Sequence, residues 1–140
     1  MLRMIVVAFA LSTPALVHAQ TAYYSYAFAK QYTFNIDHAA LEKTPDWDPE
    51  VADNPPVSAK NAIRMARELK DTLVKDSKDF KWKLDTATLH PLNRKWIWLV
   101  QFNAQYQGPS SGYPNHLQFV ILMDGTIIKP TIRDDPRFAR

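Results

Sequence analysis

The segment from Trp96 to Tyr106 constrains the fold more than any other part of the chain. Its even-numbered positions are all apolar or aromatic: Trp96, Trp98, Val100, Phe102, Ala104 and Tyr106. Alternation with a period of two predicts a β-strand. Ile97 and Leu99 make part of the opposite face apolar as well, and a strand that is apolar on both faces belongs in the middle of a sheet that is covered on both sides.

Further strands are predicted on either side of this one. The run Phe80–Leu89 alternates apolar and charged residues until the apolar phase shifts by one, which indicates a bulge near Asp85-Thr86. Leu117–Met123 alternates into Asp124-Gly125, a typical two-residue hairpin turn, and the chain is predicted to return as the strand Thr126–Arg133.

The hairpin at Asp124-Gly125 also predicts a register. Pairing Met123 with Thr126 places Ile121 opposite Ile128 and gives the hairpin one apolar and one polar face. Pro130 has no N–H to donate to a neighbour, so this last strand is predicted to lie at an edge of the sheet.

One helix and one earlier strand complete the prediction. Ser58 follows two prolines and is a good N-cap for a helix that ends near Asp76. Tyr24–Ile36 alternates over its whole length and predicts a single half-buried strand. The expected fold is therefore α+β, with one helix packed on a four- to five-stranded antiparallel sheet in the order strand, helix, strand, strand, strand, strand. The predicted apolar stripe of the helix consists of Ala59, Ala62, Ile63, Ala66, Leu69 and Leu73.

Residues 1–19 have the pattern of a cleavable signal peptide. Arg3 precedes a short apolar run from Met4 to Leu11, and Val17-His18-Ala19 supplies small residues at the last and third-last positions before the predicted cut after Ala19. The apolar run is shorter than the roughly 20 residues that a membrane-spanning helix needs. The sequence thus predicts a single mature domain, residues 20–140, with no integral membrane segment, in the bacterial periplasm or the medium.

Composition narrows the chemistry that is expected of the mature chain. Removing the leader takes away Arg3 and leaves 16 basic and 14 acidic residues, a net charge of +2. This near balance, together with export, argues against a nucleic-acid partner. The absence of Cys excludes disulfides and thiolate chemistry, so hydrophobic packing must stabilise the domain.

The segment 37–56 is predicted to be an acidic, Pro-rich loop. It holds six acidic residues, one Lys and four Pro, and its charge of −5 suggests that it lies across a basic face of the domain. Trp47 is the only Trp in this segment, and we expect it to be an exposed anchor for a partner, as we do Tyr113 in the later loop 107–115.

Three stretches together resemble PepSY-like and cystatin-like exported domains over about residues 57–132. They are Ser58-Ala59-Lys60-Asn61-Ala62-Ile63 opening the helix, Trp98-Leu99-Val100-Gln101-Phe102 in the central strand, and Asp124-Gly125-Thr126-Ile127 at the closing hairpin. The resemblance implies a non-catalytic module that binds or restrains another protein, often a peptidase. Cystatin inhibitors carry Gln-x-Val-x-Gly in their first hairpin, whereas this chain has Leu89-His90-Pro91-Leu92-Asn93-Arg94, which argues against inhibition of papain-type proteases.

No catalytic, cofactor or metal site is predicted. Gly108-Pro109-Ser110-Ser111-Gly112 matches a nucleophile elbow by letter, but a strand rather than a helix is expected after it. His38, His90 and His116 fall in different predicted elements, and the spacing of Asp46, Asp48 and Glu50 lacks the glycine and distal Glu of an EF-hand loop. The basic residues Lys60, Arg64 and Arg67 are explained by a solvated helix face.

The leading hypothesis is a small exported module that binds another exported protein, with a peptidase inhibitor or regulator as its finer form. A ligand carrier or enzyme using the concave face of the sheet is one alternative, and a structural component of an envelope complex is another. In a meander the turn near residue 90 and the Asp124-Gly125 turn emerge at the same end of the sheet. The predicted partner-binding residues are Trp47, His90, Pro91, Leu92, Asn93, Asp124 and Gly125.

Overall fold

A computed structural model describes residues 20–108 and 115–138. The predicted fold class is confirmed, since one long helix and one short helix accompany an antiparallel sheet of six strands. The strand count is higher than the sequence predicted. The elements are β1 (Gln20–Ala27), β2 (Lys30–Asp37), α1 (His38–Glu42), α2 (Ala59–Leu73), β3 (Phe80–Leu92), β4 (Lys95–Tyr106), β5 (His116–Leu122) and β6 (Thr131–Asp134), followed by a 3-10 turn (Pro136–Phe138).

The extra strand arises because the predicted strand Tyr24–Ile36 is in fact a hairpin. Phe28 and Ala29 form its turn, with φ angles of 49° and 59°. Two successive left-handed residues make the turn that suits a tight hairpin, but Gly, Asn or Asp normally occupies it. Phe28 is held there by its ring, 4.7 Å from that of Phe80, and by its N–H, which donates to Asn115 Oδ1 at 2.7 Å.

The strands lie in the order β3-β4-β5-β1-β2-β6, so β4 is internal, as predicted. A register shift between Leu84 and Thr86 confirms the predicted bulge in β3. The strands β3, β4 and β5 join the strands β1, β2 and β6 where Tyr26 of β1 pairs with His116 of β5. Next to that pair the Ser25 hydroxyl, rather than a backbone group, accepts from the Gln118 N–H at 2.8 Å, so β1 diverges from β5 along its length.

The prediction for the last strand is wrong in partner and in register. The chain reverses through a turn in which Gly125 has φ 86°, and Ile121 bridges Ile127 rather than Ile128. Residues 126–128 lie beside β5, where the Leu122 N–H donates to the Thr126 carbonyl. After Pro130 the chain crosses the sheet, and β6 pairs with β2 instead. The prediction of an edge strand is confirmed, because β6 is the last strand in the sheet.

The long helix begins where the sequence predicted and ends three residues earlier. The Ser58 hydroxyl accepts from the Asn61 N–H at 3.2 Å, and the helix runs to Leu73 rather than to Asp76. Ala62 and Ala66 are fully buried, whereas Ala59 is exposed. Small side chains at these two positions let α2 lie close to the sheet. None of the helices in the described ranges is long and apolar enough to cross a bilayer.

The core lies between α2 and the face of β4 and β5 that carries the large aromatics. The Trp98 indole N–H donates to the Val57 carbonyl at 2.8 Å, and the Phe119 ring stacks edge-on against both Phe34 and Phe102. Ile97 and Val120, which point to the other face, are also fully buried. Both faces of the central strands are therefore covered, as the double apolar pattern requires.

Candidate functional site

Lys95, the first residue of β4, fixes the acidic segment to the sheet. Its ammonium donates to the Thr44 carbonyl at 2.8 Å and to Asp46 Oδ1 at 2.7 Å. Both Lys95 and Thr44 are buried, so the segment leaves α1 in a fixed position. The segment 37–56 therefore contains a docked stretch and the short helix α1, where the sequence predicted a loop throughout. Within the described residues, the ion pair between Lys95 and Asp46 is the direct bond of this segment to a basic side chain.

Trp47 packs on the sheet and is partly buried, so it is less exposed than predicted. Its ring lies edge-on to Trp96 at 5.4 Å, and its indole N–H donates to the Ala52 carbonyl at 3.2 Å. Part of the Trp47 side chain remains accessible, because Trp47 is only partly buried. Residues 46–52, Arg94 and Trp96 enclose an open cleft of about 720 Å³, which we call the Trp47 cleft.

The rim of the Trp47 cleft carries charge of both signs. Asp48 Oδ1 accepts from the Glu50 N–H at 2.9 Å, which folds residues 48–51 into a turn. Val51 stands 82% exposed on this turn, and Arg94 lies on the side of the sheet. An aromatic floor with an apolar and charged rim is typical of surfaces that anchor a side chain of another protein.

The β3–β4 turn that borders the cleft contacts β1 and α1. Asn93 and Arg94 are its two central residues, with φ angles of 48° and 63°. The Asn93 amide lies 3.4 Å from His38 Nδ1, and His90 packs edge-on against Tyr23 at 6.3 Å. Burial raises the pKa of the Tyr23 phenol, which keeps it a neutral packing partner. The turn is thus held from the side by β1 and α1.

The structure brings some of the predicted partner-binding residues together and leaves others apart. Trp47 lines the same cleft as Arg94, the neighbour of Asn93. His90, Pro91 and Leu92 belong to β3, not to a loop. Asp124-Gly125 follows the end of β5 that pairs with Ile97 of β4, so this turn lies at the same end of the sheet, as predicted. Its Asp124 carboxylate accepts from the Thr126 N–H within the turn.

The candidate catalytic and metal residues of the sequence stay dispersed. His38 is bonded to Thr21 Oγ1 at 2.9 Å, and His116 packs against Tyr26. Within residues 20–108 and 115–138, no three His, Asp or Glu side chains are grouped as metal ligands. Of the Gly-x-Ser-x-Gly stretch, residues 109–112 lie outside the described residues, and so does Tyr113.

A second hollow lies on the outer face of α2. Lys60, Arg64 and Arg67 share it with Asn61 and Ile63, and its volume is about 540 Å³. The Arg64 guanidinium is bonded to Glu68 at 2.8 Å one turn further on. An i,i+4 ion pair of this kind is typical of a solvated helix face. The arrangement agrees with the interpretation of these basic residues as solvent-exposed.

Sequence reasoning missed Arg94, Lys95 and Trp96 as parts of the site. A signal for Lys95 was present, because it is a cation at the start of an otherwise apolar strand in a chain whose acidic residues are concentrated in one segment. A buried cation needs a partner, and that segment was the obvious source. Nothing in the sequence indicated that Trp96 would lie under Trp47.

No protein-family model, curated protein or solved structure matches the chain. The resemblance to PepSY-like and cystatin-like domains therefore stays a prediction.

Proposed function

We propose that this chain is an exported protein-binding module that captures another exported protein at the Trp47 cleft and the adjoining β3–β4 turn. The observation that carries the proposal is the packing of a partly exposed Trp47 on Trp96 beside the β3–β4 turn. Tryptophan and arginine are the residue types that most often dominate binding energy at interfaces, and both Trp47 and Arg94 line this cleft.

Rigidity supports the same proposal. Lys95 pins the acidic segment, and His38 and Tyr23 hold the turn, so a partner would meet a surface that is already ordered. A preformed surface loses little conformational entropy on association. The PepSY-like and cystatin-like resemblance favours a peptidase inhibitor or regulator as the finer form, in which the turn enters a groove of the partner.

A binding experiment with three variants tests the module. The mature protein is immobilised, and capture from an extract of its own cell envelope is quantified by mass spectrometry for the wild type, Trp47→Ala, Arg94→Gly and Tyr24→Ala. Tyr24 is a 48% exposed aromatic on β1 and is the matched control. We expect Trp47→Ala to weaken capture of the specific partner by at least about tenfold, as loss of a hot spot does, and Tyr24→Ala to leave it unchanged.

Arg94→Gly tests the contribution of the Arg94 side chain without changing the conformation of the turn. Asn-Gly is the preferred sequence for a two-residue turn of this type, so the variant keeps the hairpin and removes only the guanidinium. We expect capture to fall while the melting temperature is maintained or rises. If Trp47→Ala and Arg94→Gly retain the partner as well as Tyr24→Ala does, the cleft is not the binding surface.

Export is tested separately. We expect the protein purified from its native compartment to begin at Gln20, free or cyclised, because the pattern before Ala19 suits signal peptidase. Intact-mass measurement gives the answer directly. A species that retains Met1 would refute the leader assignment without affecting the binding proposal.

A further inference from the structure

The outer side of β3 is a free strand edge, and the turn that follows it fixes which backbone groups point outward. Asn93 and Arg94 form a two-residue turn, so Leu92 and Lys95 close it as a pair that exchanges hydrogen bonds. Because such pairs alternate along an antiparallel ladder, Thr88 and His90 direct their backbone groups to β4. Ala87 and Leu89 direct theirs away from the sheet.

The first part of this edge is already capped. The Trp82 N–H donates to Asp76 Oδ1 at 2.8 Å, and the Phe80 carbonyl accepts from the Ser77 N–H at 3.0 Å. The bulge between Leu84 and Thr86 shifts the alternation by one residue, so Trp82 and Phe80 point outward, and the segment after α2 covers them. The cap ends before the bulge at Asp85. In the described parts of the chain, no donor or acceptor meets the outward groups of Ala87 and Leu89.

Between the bulge at Asp85 and Pro91, the open part of the edge lacks the charges that usually protect an edge strand from pairing. Natural edge strands are blunted by charge, proline, bulges or short length. Lys81, Lys83 and Asp85 protect the capped part, whereas residues 86–90 carry no Asp, Glu, Lys or Arg. The opposite edge of the sheet is formed by β6, which has four residues and follows Pro130. The unprotected edge is thus confined to one short stretch of β3.

We infer that this stretch pairs antiparallel with the same stretch of a second copy of the chain, about a two-fold axis through Thr88. The two outward residues lie one on each side of Thr88. The axis therefore places Ala87 of each copy opposite Leu89 of the other, and each such pair exchanges two backbone hydrogen bonds. The product is a continuous sheet of twelve strands.

The side chains fit the same register. Thr88 is exposed and lies opposite Thr88 of the second copy. This pair exchanges no backbone hydrogen bonds, and in such pairs the side chains lie closest. Two threonines that face each other are a favourable cross-strand pair. In this register Lys83 falls opposite Asn93 of the second copy, next to its Arg94, so no charged residue of one β3 directly faces a like charge on the other β3. This self-complementarity favours a second copy over an unrelated peptide. The inference does not rest on the proposed function, since it concerns the purified protein alone.

A charge swap at the axis tests the inference. Pairing over one short edge gives weak association, so the mature chain is studied at protein concentrations up to about 0.5 mM. Sedimentation equilibrium should show reversible dimers. Thr88→Lys and Thr88→Glu each place like charges face to face, and each should be monomeric over that range. An equimolar mixture of the two should recover the dimer. Thr131→Lys, an exposed threonine on β6, is the matched control and should dimerise like the wild type.

A second variant tests the backbone bonds. Leu89→Pro deletes an N–H that points away from β4, so the intramolecular ladder stays intact. Because the Leu89 side chain also packs against the core, the melting temperature should fall while the variant stays folded by circular dichroism, and dimers should be lost. The inference is overturned by a wild type that stays monomeric, by a Lys–Glu mixture that does not dimerise, or by a Leu89→Pro variant that still does. Dimerisation of the wild type that is insensitive to both Thr88 variants would place the contact elsewhere.

Discussion

Replacement of Trp98 by alanine should destabilise the domain by about 3–5 kcal/mol, the usual cost of truncating a buried large aromatic. Trp98 lies between β4 and α2 with 6% of its surface exposed, and its indole N–H donates to the Val57 carbonyl just before the helix. Alanine would leave a cavity and remove the bond that holds the start of α2. Since small domains are stable by only about 5–15 kcal/mol, the shift in the urea midpoint should be large.

Two further variants separate the loss of the hydrogen bond from the loss of packing and provide an exposed control. Trp98→Phe keeps most of the apolar area but leaves the Val57 carbonyl without its donor, and should cost about 1–3 kcal/mol. Tyr24→Ala removes an exposed aromatic from β1 and should cost less than about 1 kcal/mol. Equal midpoint shifts for Trp98→Ala and Tyr24→Ala would show that Trp98 does not pack in the core.

The parts of the fold that could be predicted are those in which local sequence and burial agree. The alternation around Trp98 identifies a central strand because both faces are apolar, and the bulge at Asp85-Thr86 is visible because it shifts that alternation by one residue. The helix start at Ser58 is equally local, since one hydroxyl satisfies one free amide.

The hairpin at Phe28-Ala29 could not be predicted in the same way. Neither residue is typical of a turn in which both φ angles are positive. A distant ring, that of Phe80, and a distant amide, that of Asn115, hold the conformation. The strain of a left-handed non-glycine residue is offset by tertiary contacts, and such contacts leave no trace in a local pattern.

The error in the last strand has a related cause. Asp124-Gly125 does mark a turn, but the turn is one residue longer than the predicted two-residue type. Because a register change of one residue moves every side chain of the strand to the other face, the predicted pairing fails. Pro130 was correctly read as an edge residue. Its consequence, that the chain leaves β5 and pairs with β2, depends on β1 and β2 forming a hairpin that the sequence did not reveal.

The site was predicted only in outline. Trp47 and the turn near Asn93 were identified as separate contacts, and the structure places them at one cleft through Arg94 and Trp96. The link between them is the long-range bond from Lys95 to Thr44 and Asp46, residues about fifty positions apart in the chain. Pairing at that separation depends on topology rather than on any sequence pattern.

Replacement of Lys95 by methionine should be the second most disruptive change, and it should act through the acidic segment. Methionine keeps an unbranched apolar stem but removes both bonds of the ammonium. The Thr44 carbonyl then lies buried without a donor, and a lost bond to a charged group typically costs about 1.5–3 kcal/mol. The loss should appear in urea unfolding and, locally, as faster hydrogen exchange over residues 44–52.

Asp46→Ala is the matched control, because it removes the other half of the same ion pair. The Asp46 side chain is 89% exposed, whereas that of Lys95 is only 9% exposed. Exposed pairs contribute at most about 1 kcal/mol, and the Lys95 ammonium keeps its bond to Thr44 in this variant. We therefore expect Asp46→Ala to change stability little and to leave Trp47 packed on Trp96, with unchanged tryptophan fluorescence. If Lys95→Met and Asp46→Ala have equal effects, the ion pair and not the buried carbonyl bond holds the segment, and the cleft should then loosen as salt is added.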